Sequence, residues 1–284
     1  MTEAGLILEG GGMRGLYTAG VLDFFMEKNL EFSSCYGVSA GACHLTSYMS
    51  KQKGRAFNIS TKYLKEREYC SAYTFIRTGD LFGVKMCYDK IPNVLDPYDY
   101  DEAMKYPGKC FAVATNLQTG RAEYLKLHDL RHDITAVQAS ASLPLVSRNV
   151  EYEGRVYLDG GIADSIPIKR SIKTGNSKNV VILTRPAGYR KKPISKANDM
   201  MMRKVYAKYP GVVKAMRRRH IAYNATLDFI ESEEKAGRIF VMRPEPIIKI
   251  ERIEKDARKL KVLYLQGYYD AAQNYEAMMK YLEN

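Results

Sequence analysis

The amino-acid sequence predicts an α/β protein built on a mainly parallel, doubly wound sheet, and three observations carry that prediction. Short apolar runs of β type recur at residues 5–8, 35–38, 110–114, 155–158 and 180–183. They are near-continuous rather than alternating, the habit of strands buried on both faces. Stretches of helical length separate them at 14–28, 40–53 and 134–142, so strand and helix alternate along the chain.

The first run opens into Gly10-Gly-Gly-Met-Arg-Gly15, and Leu16, Ala19, Val21, Leu22 and Phe25 then follow at helical spacing. A glycine loop between strand and helix suits a phosphate. No ribose-binding acid follows in a strand–loop context, however, because Asp23 and Glu27 fall inside the helix, and no Walker lysine follows either. The same loop offers several unhindered backbone N–H donors, which an oxyanion hole needs.

The second run enters Gly37-Val-Ser-Ala-Gly41 and then a helical stretch, the context of a nucleophile elbow. Small flanking residues permit a sharp turn that projects the Ser39 hydroxyl into a cleft at a helix N-terminus, where the dipole favours a developing alkoxide. By itself the pentapeptide also fits an ordinary glycine-bracketed turn. The run at 155–158 ends in Asp159-Gly-Gly161, an acid at the end of a strand with glycines that leave its approach open. In isolation this is a plain Asp-Gly turn.

In this order, each at a strand end, the three elements resemble the patatin-like phospholipases, which join a G-G-G-x-R-G loop, a G-x-S-x-G nucleophile and a D-G-G or D-G-A aspartate. The block Ala139-Ser-Ala-Ser-Leu-Pro144 is similar to the family's A-S-x-S-x-P segment. The resemblance spans roughly residues 5–185 and implies a three-layer α/β/α patatin-like fold. It further implies Ser39 as nucleophile, Asp159 as base, and oxyanion donors among Gly10, Gly11, Gly12, Met13 and Arg14, with Gly15, Gly37, Gly41, Gly160 and Gly161 supporting the turns. The expected chemistry is cleavage of lipid carboxylic esters through an acyl-enzyme, with no metal and no cofactor. An aspartate with a pKa of about 3.9 in water is a poor base for serine, so burial must raise its basicity.

Four histidines test the two-residue site: His44, His128, His132 and His220. The order Ser39, Asp159, His220 formally matches a hydrolase triad. His220 ends the run Arg217-Arg-Arg219, which reads as surface, and His44 lies five residues beyond Ser39 on the same helix. A histidine-assisted triad is the alternative mechanism.

The net charge of +12 is concentrated in one place: residues 185–219 hold twelve Lys or Arg against the single acid Asp199. Met200, Met201, Met202, Val205, Tyr206, Val212 and Val213 interleave with them, which suits either a helix resting on an anionic membrane or one with its apolar face in the core. Nucleic-acid binding has little beyond charge in its favour, and a non-catalytic lipid-binding protein is a further alternative. A boundary is expected near residue 186. The α/β core takes 1–185, and 186–284 forms a basic helical extension whose strand-like 239–242 could return to the sheet edge, followed by a long helix over 260–282. Five cysteines without C-x-x-C spacing read as reduced, and no signal or membrane-spanning run is evident, so the expectation is a cytoplasmic protein with peripheral membrane contact at most. Oligomeric state is not legible.

Overall fold

The computed structural model describes residues 1–283. Its eight strands are β1 (Thr2–Leu8), β2 (Phe32–Val38), β3 (Lys109–Asn116), β4 (Ala122–Leu127), β5 (Val150–Tyr152), β6 (Arg155–Asp159), β7 (Asn179–Ile182) and β8 (Phe240–Met242). The helices are α1 (Leu16–Glu27), α2 (Ala40–Met49), α3 (Arg55–Lys62), α4 (Ala72–Thr78), α5 (Tyr100–Met104), α6 (Leu130–Ala141), α7 (Ile168–Lys173), α8 (Lys196–Val205), α9 (Pro210–Lys235) and α10 (Ala257–Glu283).

One sheet runs in the order β5-β6-β3-β2-β1-β7-β8, with β4 also paired to β3. From β3 through β8 the neighbours are parallel; β4, β5 and β6 pair antiparallel at the other side. The short strands β4 and β5 escape an apolar-run reading because Ala122-Glu-Tyr-Leu-Lys-Leu127 mixes polar with apolar residues, the pattern of a less enclosed strand. In β1, Leu6 and Leu8 join the large core with α1, α2 and α10, whereas Ile7 joins a second core with α7 and α9. Both faces of the central strand are therefore buried, and the fold is a three-layer α/β/α arrangement. β8 pairs with β7 in parallel register and extends the sheet.

The C-terminal helix is held by geometry as much as by apolar area. In α10, Leu260, Leu263, Gly267, Ala271 and Met278 are buried at three- and four-residue steps, one stripe of a helix. That stripe meets α1 at a crossing too close for side chains: a Cβ on Gly20 would lie 2.0 Å from the Tyr264 carbonyl, and one on Gly267 would lie 2.0 Å from the Tyr17 carbonyl. Three hydrogen bonds flank the crossing, Tyr17 to Asp270 at 2.9 Å, Tyr264 to Asp23 at 2.5 Å and Tyr268 to Glu27 at 2.8 Å. Gly267→Ala must spread the helices and is expected to cost ~1–3 kcal/mol of stability. A denaturant melt reads this as a lower midpoint; an unchanged midpoint would mean that the crossing relaxes freely.

Candidate active site

Ser39 sits between β2 and α2 with φ 55° and ψ −120°, the left-handed backbone of a sharp strand-to-helix turn. Its hydroxyl caps no amide of α2. The turn needs its glycines for space: a Cβ on Gly37 would meet the Ala42 backbone at 2.6 Å, and one on Gly41 the Leu8 carbonyl at 2.5 Å. Gly10 passes equally close, its notional Cβ 2.9 Å from the Ser39 Cβ. The glycine loop after β1 therefore lies against the serine.

Asp159 is the last residue of β6 and is 3 % exposed. Its Oδ1 accepts the Gly161 N–H at 2.7 Å, while Oδ2 is buried with no hydrogen-bond partner. Burial pushes its pKa above the ordinary carboxylate value; the nearby Ser39 hydroxyl, the Arg219 charge and the Gly161 amide pull in the opposite direction and do not offset it. The Ser39 hydroxyl thus lies beside the carboxylate without forming an aligned hydrogen bond, as is usual before a substrate tightens such contacts. Gly160 and Gly161 are fixed here too. A Cβ at 160 would lie 1.9 Å from the Val113 carbonyl, and one at 161 would wedge between Asp159 and Arg219.

The end of α6 braces both residues, a role the sequence motif does not announce. Ser140 Oγ accepts the Ser39 N–H at 2.9 Å and donates to the Val113 carbonyl at 2.6 Å. Two residues on, the Ser142 carbonyl accepts the Asp159 N–H at 2.7 Å. The alternating serines of Ala139-Ser-Ala-Ser142 thus tie the backbones of Ser39 and Asp159 to one helix terminus.

In the glycine loop, Gly12 adopts φ 59° and opens a 3-10 turn over Gly12–Gly15. Met13 departs from the expected donor set. Its N–H donates to the Arg252 carbonyl at 3.0 Å and so cannot meet an oxyanion, a partner no local pattern reveals. Gly15 packs against His44, whose Nε2 would lie 2.8 Å from a Cβ there, and Arg14 lines the cavity.

Ser39, Asp159 and Gly10–Gly12 line one cavity. Its lining is partly apolar, with Cys87, Tyr88, Ile91, Ile134, Val137 and Leu143, and partly cationic, with Arg14, Arg185, Lys191, Arg219 and Arg252. No histidine bonds Ser39 or Asp159 among the described residues. His44 lines the cavity, but burial pushes its pKa down to about 4, leaving a neutral ring with no bond to Ser39 or Asp159 among the described residues. His128 and His132 are exposed, and His220 carries a buried, unpartnered Nδ1 rather than the surface position its basic neighbours suggest. Arg219 likewise turns inward. Met202, Tyr206, Val212 and Val213 enter the core, whereas Met200, Met201 and Val205 are exposed.

Residues 6–171 match the family model of patatin-like phospholipases, and residues 209–283 match that of a domain of unknown function (DUF6363). The chain belongs to the patatin-like phospholipase family. It is similar to the uncharacterized protein YjjU of Escherichia coli, 34% identical over 186 residues, covering 64% of this chain and 52% of that protein. It is also similar to lysophospholipase NTE1 of Meyerozyma guilliermondii, 22% identical over 278 residues, covering 93% of this chain and 18% of the relative. The chain thus spans less than two thirds of either relative. The crystal structure of VipD from Legionella pneumophila aligns with a TM-score of 0.45 at 13% identity, over 97% of this chain and 67% of that one. No helix among the described residues is long and apolar enough to cross a membrane.

Proposed function

We propose that this protein is a serine acyl hydrolase that cleaves carboxylic ester bonds of lipids, lysophospholipids among them, with Ser39 as nucleophile and Asp159 as base. One observation carries the reading: the turn that presents Ser39 and the partnerless Oδ2 of Asp159 belong to residues that line one cavity whose walls are partly apolar. Burial strengthens Asp159 as a base. In acylation it takes the Ser39 proton as Oγ bonds the ester carbonyl carbon, and free N–H groups of Gly10–Gly12 stabilise the oxyanion. The carbon–oxygen bond to the alcohol then breaks, and the alcohol leaves with the proton from Asp159. Water next attacks the acyl-enzyme and gives its proton to Asp159; the Oγ–carbon bond breaks, the fatty acid leaves, and Ser39 is reprotonated.

A fluorophosphonate probe, which esterifies activated serines, is expected to label Ser39, and purified protein is expected to release fatty acid from lysophospholipid. The base must be ionised, so kcat/KM falls as the pH drops through the Asp159 pKa. Because burial raises that value, the acid limb lies above the pH of about 3.9 set by an ordinary aspartate. Absence of both labelling and release would overturn the assignment.

A further inference from the structure

The cationic part of the cavity's lining is not explained by ester hydrolysis alone. Arg14 comes from the glycine loop, Arg185 and Lys191 from the segment after β7, Arg219 from α9, and Arg252 from the segment before α10. Their sequence neighbours behave differently. Arg190 faces outward onto Asp228 and Glu231, and Arg217 onto Asp199, whereas none of the five forms an ion pair among the described residues.

The two nearby carboxylates do not satisfy these cations. Glu9 accepts from the Thr184 N–H at 2.7 Å, from the Thr184 hydroxyl at 3.1 Å and from the Tyr223 hydroxyl at 2.6 Å. Asp159 is engaged by Gly161. Buried Nε atoms of Arg14 and Arg219 have no partner.

The walls are nonetheless built. Asn224 clamps Lys191 from both sides, accepting its backbone N–H at 2.8 Å and donating to its carbonyl at 3.1 Å. The Lys191 ammonium then lies 4.1 Å over the Tyr223 ring, and the Arg185 guanidinium 4.3 Å over Tyr189. The Met13–Arg252 bond ties the last segment to the glycine loop.

We propose that Arg14, Arg185, Lys191, Arg219 and Arg252 form a headgroup subsite for a lipid bearing a net-negative phosphate, seated beside the ester that Ser39 attacks while the acyl chain packs on the apolar lining. Four of the five lie beyond residue 184, and two of them within residues 209–283, which gives that region a role in substrate selection. A phosphate supplies the several acceptor oxygens that a ring of guanidinium and ammonium donors requires. A choline headgroup would bring a second cation into the same field and lose most of the gain. Lys191 agrees with this: burial first, then Arg219, Arg252 and Arg185, push its pKa down to about 7 against the pull of Glu9, and Arg14 is pushed down to about 10 chiefly by burial. An anion would relieve both.

The subsite serves the hydrolase function proposed above, and binding to the full chain carrying Ser39→Ala tests it apart from turnover. Calorimetry would compare short-acyl 1-acyl-glycerol 3-phosphate with the glycerophosphocholine of the same chain, each below its micelle concentration. At least tenfold tighter binding of the phosphate monoester is expected, and adding Lys191→Gln with Arg219→Gln should bring the ratio towards one. Equal affinities in the Ser39→Ala protein would overturn the subsite whether or not the double variant folds. Inorganic phosphate binding as tightly as the lipid would overturn it as well, by showing a site for the free ion.

Discussion

Ser39→Ala is expected to lower kcat on lipid esters by about 10⁴-fold or more, with little change in melting temperature. The serine hydroxyl caps nothing in α2, and the Ser39 N–H bond to Ser140 survives the substitution. The backbone strain at φ 55° stays in place, since alanine tolerates that region no better than serine. Loss of activity without loss of fold, read by initial rates beside a thermal melt, would locate the effect in the nucleophile. Full activity in the variant would remove Ser39 from the chemistry.

Asp159→Asn is expected to lower kcat by about 10³-fold or more and to make the protein more stable at pH values where the wild-type carboxyl is ionised. The pKa of Asp159 is raised in the fold, so its contribution to stability is present at low pH and is lost as the pH rises through the folded value. Once ionised, the wild-type carboxylate sits where burial disfavours it, with one oxygen unpartnered. Asparagine removes that charge. The stability gap should be widest above the folded pKa and should close as the pH falls and the wild type is protonated, which urea melts at several pH values would follow. An active variant would sink the base role; a less stable one would sink the argument that this site is strained.

Much of the candidate site's placement was legible because its motifs sit at strand ends, and parallel strands gather such ends on one edge. The glycine loop after β1 and Ser39 after β2 meet for that reason, whereas Asp159 joins them because β6 runs antiparallel to β3 and ends opposite Ala114. The supporting cast was less legible. Ser140 and Ser142 stand in a visible motif, but their function is to hold backbone groups of residues far away in sequence. Met13 has its N–H taken by a carbonyl from the far end of the chain, which no spacing rule can anticipate. The three consecutive arginines 217–219 show only a charge run, yet successive helical residues point about 100° apart, so Arg217 reaches a surface aspartate while Arg219 enters the cavity. Strand β4 went unread because its residues mix polar with apolar, and β5 and helices α3–α5 because they are short.

The paired glycines of α1 and α10 have a consequence for inheritance. Each leaves room for the other helix's backbone, so neither side of the crossing can acquire a side chain unless the opposite helix changes with it. A recombination event that replaced only the C-terminal helix with a relative's version would therefore succeed only where the donor carried a matching gap. The two halves of the crossing are expected to travel through descent as a linked pair, although 246 positions lie between Gly20 and Gly267.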